Sequence, residues 1–119
     1  MEFRESEEFK KEFKGLKRKY QTLEADLAVL KKTIAIQPSG DGSKHWNRLA
    51  TDHDSGVHIF KIRMMCRAVR GSQFRVIYAY REKQIEILFV ELYFKCKKEN
   101  EDKERVREYF ELLRNIGIE

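Results

Sequence analysis

The strongest constraint on the fold is the run at residues 57–67, which reads VHIFKIRMMCR. Successive side chains of an extended chain point to opposite faces of a sheet. One face of this run carries His58, Phe60, Ile62, Met64 and Cys66, and the other carries Lys61, Arg63, Met65 and Arg67. The alternation predicts a β-strand with one buried face and one basic face.

A second alternating run, QFRVIYAYR at residues 73–81, follows a short link that contains Gly71. Its faces carry Phe74, Val76, Tyr78 and Tyr80 on one side, and Arg75, Ile77, Ala79 and Arg81 on the other. A short link with glycine favours antiparallel pairing of the two strands. Such a pair sets the arginines of both strands across one basic face, namely Arg63, Arg67, Arg75 and Arg81.

The positive charge of the chain is concentrated in these strands. The formal net charge of +5 divides into about +1 for residues 1–55, about +7 for residues 56–98 and about −3 for residues 99–119. A concentrated basic face suits nucleic acid, because lysines and arginines neutralise phosphates and release counterions; an acidic protein segment is a second candidate ligand. An ordinary solvated surface has the same composition, so charge alone does not decide between these interpretations.

The segment before these strands is typical of a helical hairpin. Residues 2–4 fit a short first strand, Ser6 and Thr22 suit the N-caps of two helices, and Pro38 prevents continuation of the second. Apolar residues recur at helical spacing in both. These stripes are Phe9, Phe13, Leu16 and Tyr20, then Leu23, Leu27, Leu30 and Ile34.

The remaining segments complete a single domain. Residues 37–56 are rich in turn formers and predict a loop, with at most a helical turn at residues 46–49. Residues 85–96 are apolar on both faces for most of their length, as in a central strand covered on both sides. A last helix is predicted after an Asn100 N-cap, and Gly117 is suited to end it.

No linker or repeat divides residues 1–119. We therefore predict one α+β domain, a mostly antiparallel twisted sheet of about four strands with an N-terminal helical hairpin and a C-terminal helix.

The cysteines and histidines show no ligand spacing. Cys66 and Cys96 are too few for a disulfide framework, which favours reduced thiols and a cytoplasmic protein. His58 begins a strand, whereas His45 and His53 lie in the predicted loop, and no metal-ligand pattern joins them. We expect no metal and no cofactor. The acidic N-terminus and the lack of about 18 consecutive apolar residues predict a soluble protein that is neither exported nor membrane-bound.

Three segments, HIFKIR at 58–63, RGSQFRVIY at 70–78 and ELYFK at 91–95, resemble the RelE/ParE superfamily of toxins from bacterial toxin–antitoxin modules. The resemblance covers nearly the whole chain and implies a cognate antitoxin as partner. RelE-like members are ribosome-dependent endoribonucleases that cut mRNA, whereas ParE-like members inhibit DNA gyrase without nuclease chemistry. The shared fold does not choose between them. A degenerate toxin that only binds its antitoxin is a third alternative.

The basic face favours the nuclease, because attack by the RNA's own 2′-hydroxyl requires the scissile phosphate to be held and its developing charge stabilised. By the resemblance, Lys61 and Arg63 match basic residues of the family's second strand, and Arg75 matches the arginine of its Arg-x-x-Tyr strand. Lys95 falls where RelE-like nucleases place another basic residue. No residue aligns well with the tyrosine that serves in proton transfer, for which Tyr93 is a candidate.

Further contacts are less constrained. Tyr109 is the second candidate tyrosine, although its spacing favours the core. Arg67 and Arg70 flank the turn between the two strands, and with Arg81 they are candidates for contacts to mRNA or ribosomal RNA. The lysines of residues 10–19 lie on the exposed side of a helix and suit either solvent or an acidic antitoxin peptide.

Overall fold

A single mixed sheet organises the molecule, and the computed structural model describes residues 1–71 and 73–116 of it. The elements are β1 Glu2–Glu5, α1 Glu7–Lys17, α2 Leu23–Ile36, β2 Trp46–Asp52, β3 Val57–Met64, β4 Phe74–Arg81, β5 Glu86–Phe94 and α3 Lys103–Ile116. The strand order is β1-β5-β4-β3-β2. Strand β1 pairs with β5 in parallel, and the other neighbours are antiparallel. The α+β class is confirmed, whereas the predicted count of about four strands was too low.

The additional strand is β2, in the segment that was predicted to be a loop. It pairs with β3 along its length, with a register shift between Arg48 and Ala50. The prediction of a helical turn at residues 46–49 was wrong. The register shift interrupts the two-residue alternation, and the pairing with β3 overrides the local turn preference, so the sequence of β2 alone does not identify a strand.

The helix ends follow the predicted caps only in part. The Ser6 hydroxyl accepts a hydrogen bond from the Phe9 N–H (3.1 Å), as an N-cap does. The Thr22 hydroxyl instead donates to Asp26 (2.8 Å) and makes no cap bond. Helix α3 begins later than predicted, because its cap is Asp102, whose carboxylate accepts from the Arg105 N–H (3.1 Å), and not Asn100. Gly117 lies outside the described residues.

The two faces of the sheet are covered unequally. Helices α1 and α2 pack over one face and bury a large cluster that includes Phe9, Leu27, Phe60 and Phe89. Helix α3 covers a smaller cluster on the other face, formed by Val57, Ile59, Ile77, Ala79, Val90, Tyr93 and Leu113, with partly buried residues around it. Beyond this cluster, β3 and β4 continue on the same face with their basic residues.

A β-bulge at Val90 determines which side chains of β5 reach that second face. Tyr78 is paired with Phe89, but Ile77 is paired with Glu91, so Val90 is an extra residue in β5. A strict two-residue alternation would place residues 89, 91 and 93 on one face, but the bulge separates Phe89 from Glu91 and Tyr93. Phe89 contributes to the core under α1 and α2, whereas Tyr93 contributes to the cluster under α3, opposite Arg75.

A short chain of hydrogen bonds fixes the start of β2 to the sheet. The Trp46 indole N–H donates to the Tyr78 hydroxyl (2.7 Å), which donates to the Pro38 carbonyl (2.9 Å). Burial raises the pKa of the Tyr78 phenol, so that it stays protonated and able to donate. The buried Trp46 thus anchors the segment that connects α2 to β2.

Within the described part of the chain, no helix is both long and apolar enough to cross a membrane. Both cysteines are free thiols; Cys66 is buried and Cys96 is exposed.

The anchor leads to the first prediction. We expect Trp46→Phe to lower the free energy of unfolding by about 1–3 kcal/mol, because it removes a buried hydrogen bond and part of a buried ring. Urea denaturation followed by circular dichroism measures this. Ile36→Ala is the control, since Ile36 is exposed on α2, and should change stability by less than about 0.5 kcal/mol. Equal stability of Trp46→Phe and the wild type would contradict the anchoring role.

Candidate functional site

An open cleft of about 130 Å³ lies on the sheet face that carries α3, at the end where β3 and β4 show their basic residues. We call it the basic cleft. It is lined by Lys44, His45, Asn47, Lys61, Arg63, Arg75 and Lys95. Four of the five residues predicted from the family resemblance to be catalytic are therefore brought together, and the fifth, Tyr93, is the cross-strand partner of Arg75.

The regular pairing of the strands explains this convergence. Lys61 and Arg63 share a face because they are two residues apart in β3. Arg63 lies opposite Arg75, which in turn lies opposite Tyr93 on β5. Like charges directly opposite each other are unfavourable in a sheet. An anion bound between these arginines would relieve that repulsion.

The charge state of Arg75 reflects its surroundings. Burial lowers the pKa of the Arg75 guanidinium, and Arg63 lowers it further, while Tyr93 opposes the change. An arginine remains protonated at neutral pH even so. Its guanidinium donates to the Phe74 carbonyl (3.1 Å).

Two of the three lysines of the cleft, Lys61 and Lys95, contact the segment between β5 and α3. The Lys61 ammonium donates to the Glu101 carboxylate (2.8 Å), and both side chains are largely buried. The Lys95 ammonium donates to the Glu99 carbonyl. Burial raises the pKa of Glu101, but the hydrogen bond and charge of Lys61, a backbone hydrogen bond and the charge of Lys103 together outweigh it, and the pKa lies below its ordinary value. Glu101 is therefore a carboxylate at neutral pH, and it offsets one positive charge of the cleft.

The buried Glu91 holds this segment in place. Its side chain is inaccessible to solvent and accepts hydrogen bonds from the Asp102 N–H (2.8 Å) and from the Lys98 ammonium. Arg105 ties the first turn of α3 to Glu12 on α1 and to the Val90 carbonyl (3.1 Å). The position of α3 beside the cleft is therefore fixed by a buried carboxylate that the Val90 bulge turns to this face.

Tyr93 is the fifth of the residues predicted to be catalytic. Its hydroxyl is buried and has no hydrogen-bond partner among the described residues. Burial raises the pKa of Tyr93 to about 12, with Glu101 and Glu91 adding to the increase and Arg75 opposing it. The phenol is thus protonated at neutral pH, where it is able to donate a proton or a hydrogen bond but is a poor base.

Besides Tyr93, four predicted residues do not line the basic cleft, namely Arg67, Arg70, Arg81 and Tyr109. Arg81 lies at the far end of β4, where its guanidinium pairs with Glu86 (2.9 Å). Arg67 follows the end of β3, and pairs with Asp26 of α2 (3.2 Å). Arg70 is exposed in the link between β3 and β4. The predicted face with all four arginines was too wide, because β3 ends at Met64 and the Arg67 side chain is directed to α2.

Tyr109 is the fourth of these residues. It lies on α3 among the partly buried residues around the cluster under that helix, and its hydroxyl donates to the Glu8 carboxylate of α1 (2.7 Å). This contact agrees with the structural role that its helical spacing favoured. It leaves Tyr93 as the tyrosine beside the cleft.

The three histidines have different surroundings in the structure. His45 lines the cleft, and its carbonyl accepts from the Arg63 N–H (3.0 Å). His58 is buried, with its ring nitrogens near Thr51 (3.1 Å) and Glu82 (3.3 Å), and His53 lies against the His58 ring. The sequence provided no reason to place Lys44, His45 and Asn47 beside the basic strands, because β2 was not recognised as the neighbour of β3. Among residues 1–71 and 73–116, no group of three potential ligands could hold a metal ion.

Comparison with known proteins identifies the fold. No protein-family profile and no curated protein sequence matches the chain. Among solved structures, the chain is similar to the archaeal RelE–RelB complex of Pyrococcus horikoshii OT3, with 13% identity and a TM-score of 0.56. The match covers 79% of this chain and 93% of that chain. The chain has a RelE-like fold.

On this RelE-like fold, the cleft has the chemistry of an anion site. Arg63 and Arg75 present planar guanidinium groups from neighbouring strands, and such groups bind phosphates with two parallel hydrogen bonds. The lysines supply compact charges at the side of the same space. Five cations against one carboxylate leave the cleft strongly positive, and its floor is formed by rigid strands.

The buried phenol of Tyr93 leads to a second prediction. We expect Tyr93→Phe to raise the free energy of unfolding by about 1 kcal/mol, because a buried hydroxyl without a partner costs desolvation energy. The matched control is Tyr109→Phe, which loses the bond to Glu8 and should be less stable than the wild type by about 0.5–1 kcal/mol. Urea denaturation followed by the fluorescence of Trp46 compares the two. Equal destabilisation by both changes would show that the Tyr93 hydroxyl has a stabilising partner.

Proposed function

We propose that this protein is the toxin of a toxin–antitoxin module and that it acts in the cytoplasm as a ribosome-dependent endoribonuclease on mRNA. The observation that carries the proposal is the convergence of Lys61, Arg63, Arg75 and Lys95 on one open cleft. The RelE-like fold supports it, and the resemblance of the strand sequences points to the same activity.

The chemistry proposed for the cleft is attack of an RNA 2′-hydroxyl on the adjacent phosphate. Arg63 and Arg75 hold the non-bridging oxygens of the scissile phosphate by bidentate contacts. Lys61 and Lys95 stabilise the charge that develops on these oxygens in the transition state, which preorganised cations do without reorganisation. No metal or cofactor takes part in this scheme. The ribosome supplies the mRNA in an extended, accessible form, and Arg67 and Arg70 contact the RNA backbone nearby.

The proposed protein partner is a cognate antitoxin. The solved structure to which this chain is similar is a complex of RelE with RelB, and we extend that kind of pairing to this chain. The exposed lysines of α1, including Lys10, Lys11 and Lys14, offer a basic surface for an acidic antitoxin segment.

A second candidate is a toxin without nuclease chemistry, such as a gyrase inhibitor, or a degenerate toxin that only binds its antitoxin. One observation favours it: the Lys61 ammonium is paired with Glu101 and the Tyr93 hydroxyl is buried, so neither of these two predicted catalytic groups faces a ligand directly. Primer extension on ribosome-bound mRNA separates the two candidates.

The nuclease proposal is tested by primer extension on a defined mRNA translated by purified ribosomes. We expect the wild-type protein to make cuts that require ribosomes and keep step with codons. Arg75→Ala should lower the cleavage rate at least about a hundredfold, because it removes a preorganised donor to the phosphate. Arg107→Ala is the charge-matched control; Arg107 is exposed on α3, and its loss should leave cleavage unchanged.

Circular dichroism of each variant serves as the control for folding. If folded Arg75→Ala cuts as well as the wild type, the assignment of the cleft is wrong. If folded wild-type protein leaves mRNA intact, the nuclease proposal fails, and inhibition of gyrase supercoiling becomes the decisive assay.

The pairing of Lys61 with Glu101 gives a further prediction. We expect Glu101→Gln to bind single-stranded RNA more tightly, because one more cation of the cleft becomes available to phosphate. The plot of log affinity against log salt concentration should become steeper by about 0.7, the contribution of one neutralised phosphate. Fluorescence anisotropy of a labelled RNA measures both effects. Glu104→Gln makes the same charge change at an exposed site of α3 that pairs with Arg107. An equal gain in both variants would indicate a general charge effect rather than a contact in the cleft.

A further inference from the structure

We infer that His45 is the general base of the proposed cleavage reaction. This inference rests on the proposed nuclease function and assigns the proton-transfer step for which the family resemblance left no well-placed residue. Of the three histidines, only His45 lines the basic cleft, together with the arginines and lysines proposed to bind the phosphate. A base for the 2′-hydroxyl must lie within about 3 Å of it when the phosphate is bound.

The position of His45 is fixed by its backbone. Its carbonyl accepts from the Arg63 N–H (3.0 Å), which extends the pairing of β2 and β3 by one residue. Its N–H donates to the Ser43 hydroxyl (3.3 Å), and the Ser43 N–H donates to the Asp41 carboxylate (2.9 Å). Trp46, the next residue, is buried and bonded to Tyr78. The exposed imidazole therefore belongs to a segment whose position is fixed by hydrogen bonds on both sides of His45. This segment lies next to Arg63.

The other groups near the cleft are less suited to remove a proton. Tyr93 is buried and its pKa is raised to about 12, so at neutral pH it carries its proton. Glu101 is held by Lys61, which lowers its pKa and makes it a weak base. The hydroxyl of Tyr109 is bonded to Glu8 of α1. The imidazole of His45, by contrast, is exposed at the cleft, and a neutral imidazole has a ring nitrogen that accepts a proton.

The proposed step moves one proton and replaces one P–O bond by another. The neutral imidazole of His45 takes the proton of the 2′-hydroxyl while the 2′-oxygen forms a bond to phosphorus. The bond between phosphorus and the 5′-oxygen breaks, and that oxygen takes a proton from solvent water. The products are a 2′,3′-cyclic phosphate and a 5′-hydroxyl. His45 returns its proton to solvent after the products leave.

The test compares His45→Gln with His53→Gln under single-turnover conditions on ribosome-bound mRNA. His53 is the matched control, because it is an exposed histidine that does not line the cleft. We expect His45→Gln to lower the cleavage rate constant at least about a hundredfold, in the range of general base catalysis. Its affinity for uncleavable, 2′-O-methylated RNA should stay within about twofold of the wild type, because the phosphate contacts remain. His53→Gln should match the wild type in both measurements.

Two further readouts separate base catalysis from a structural or phosphate-binding role. The acidic limb of the pH–rate profile should disappear in His45→Gln. Added imidazole should restore part of the cleavage by His45→Gly but not by Arg75→Ala, because it replaces a base and not a phosphate contact.

Each outcome has a defined consequence. If His45→Gln cuts as fast as the wild type, the inference is overturned while the proposed function stands. If it loses rate and RNA affinity equally and keeps the acidic limb, His45 is a phosphate contact and not the base, which also overturns the inference. If the wild-type protein cuts no mRNA, the proposed function itself has failed, and this inference fails with it.

Discussion

The β-bulge at Val90 is the constraint on which the rest of this face depends. Without it, the alternation of β5 would direct Glu91 and Tyr93 toward the core under α1 and α2. With it, Glu91 is buried on the opposite face, where it accepts the Asp102 N–H and the Lys98 ammonium and so fixes the start of α3. Bulges that re-aim side chains are frequent beside functional sites. Here a single extra residue positions a helix, a tyrosine and one border of the basic cleft.

The cleft combines rigid support with unfavourable electrostatics. Arg63 and Arg75 lie directly opposite each other, and the neighbouring lysine side chains add to the repulsion. The protein offsets part of this charge internally through Glu101, which bonds Lys61. The fully buried residues on the other face, such as Phe74 and Tyr78, keep the two strands in register. A well-packed sheet thus holds cations together at a cost that an anionic ligand would relieve, which is a common property of binding sites.

The sequence predicted the parts of the site that depend on local alternation. The two-residue period predicted that Lys61, Arg63 and Arg75 share one face, and it predicted the antiparallel core of the sheet. Apolar residues at helical spacing predicted the helical hairpin. The parts that depend on distant pairing were not predictable in this way. The bulge at Val90 changes the phase of a strand that is apolar on both faces, so no change of composition marks it.

Pairing with residues distant in the sequence also explains why the basic face predicted to include Arg67 and Arg81 was too wide. Arg81 shares the face of Arg75, but Glu86 pairs with it at the far end of the sheet. Arg67 is drawn to Asp26 of α2, because the strand has already ended. His45 directly precedes β2 and lines the cleft because β2 pairs with β3. The sequence did not predict this, since β2 is an edge strand whose polar sequence and shifted register conceal the two-residue period.

The central claim is that the basic cleft is where this protein binds RNA, and nuclear magnetic resonance tests it most directly. Backbone amide shifts of the labelled protein would be followed during titration with a 2′-O-methylated, uncleavable RNA. We expect the largest changes at His45, Arg63, Arg75 and Lys95. Changes centred instead on the lysines of α1, with the cleft residues unaffected, would contradict it.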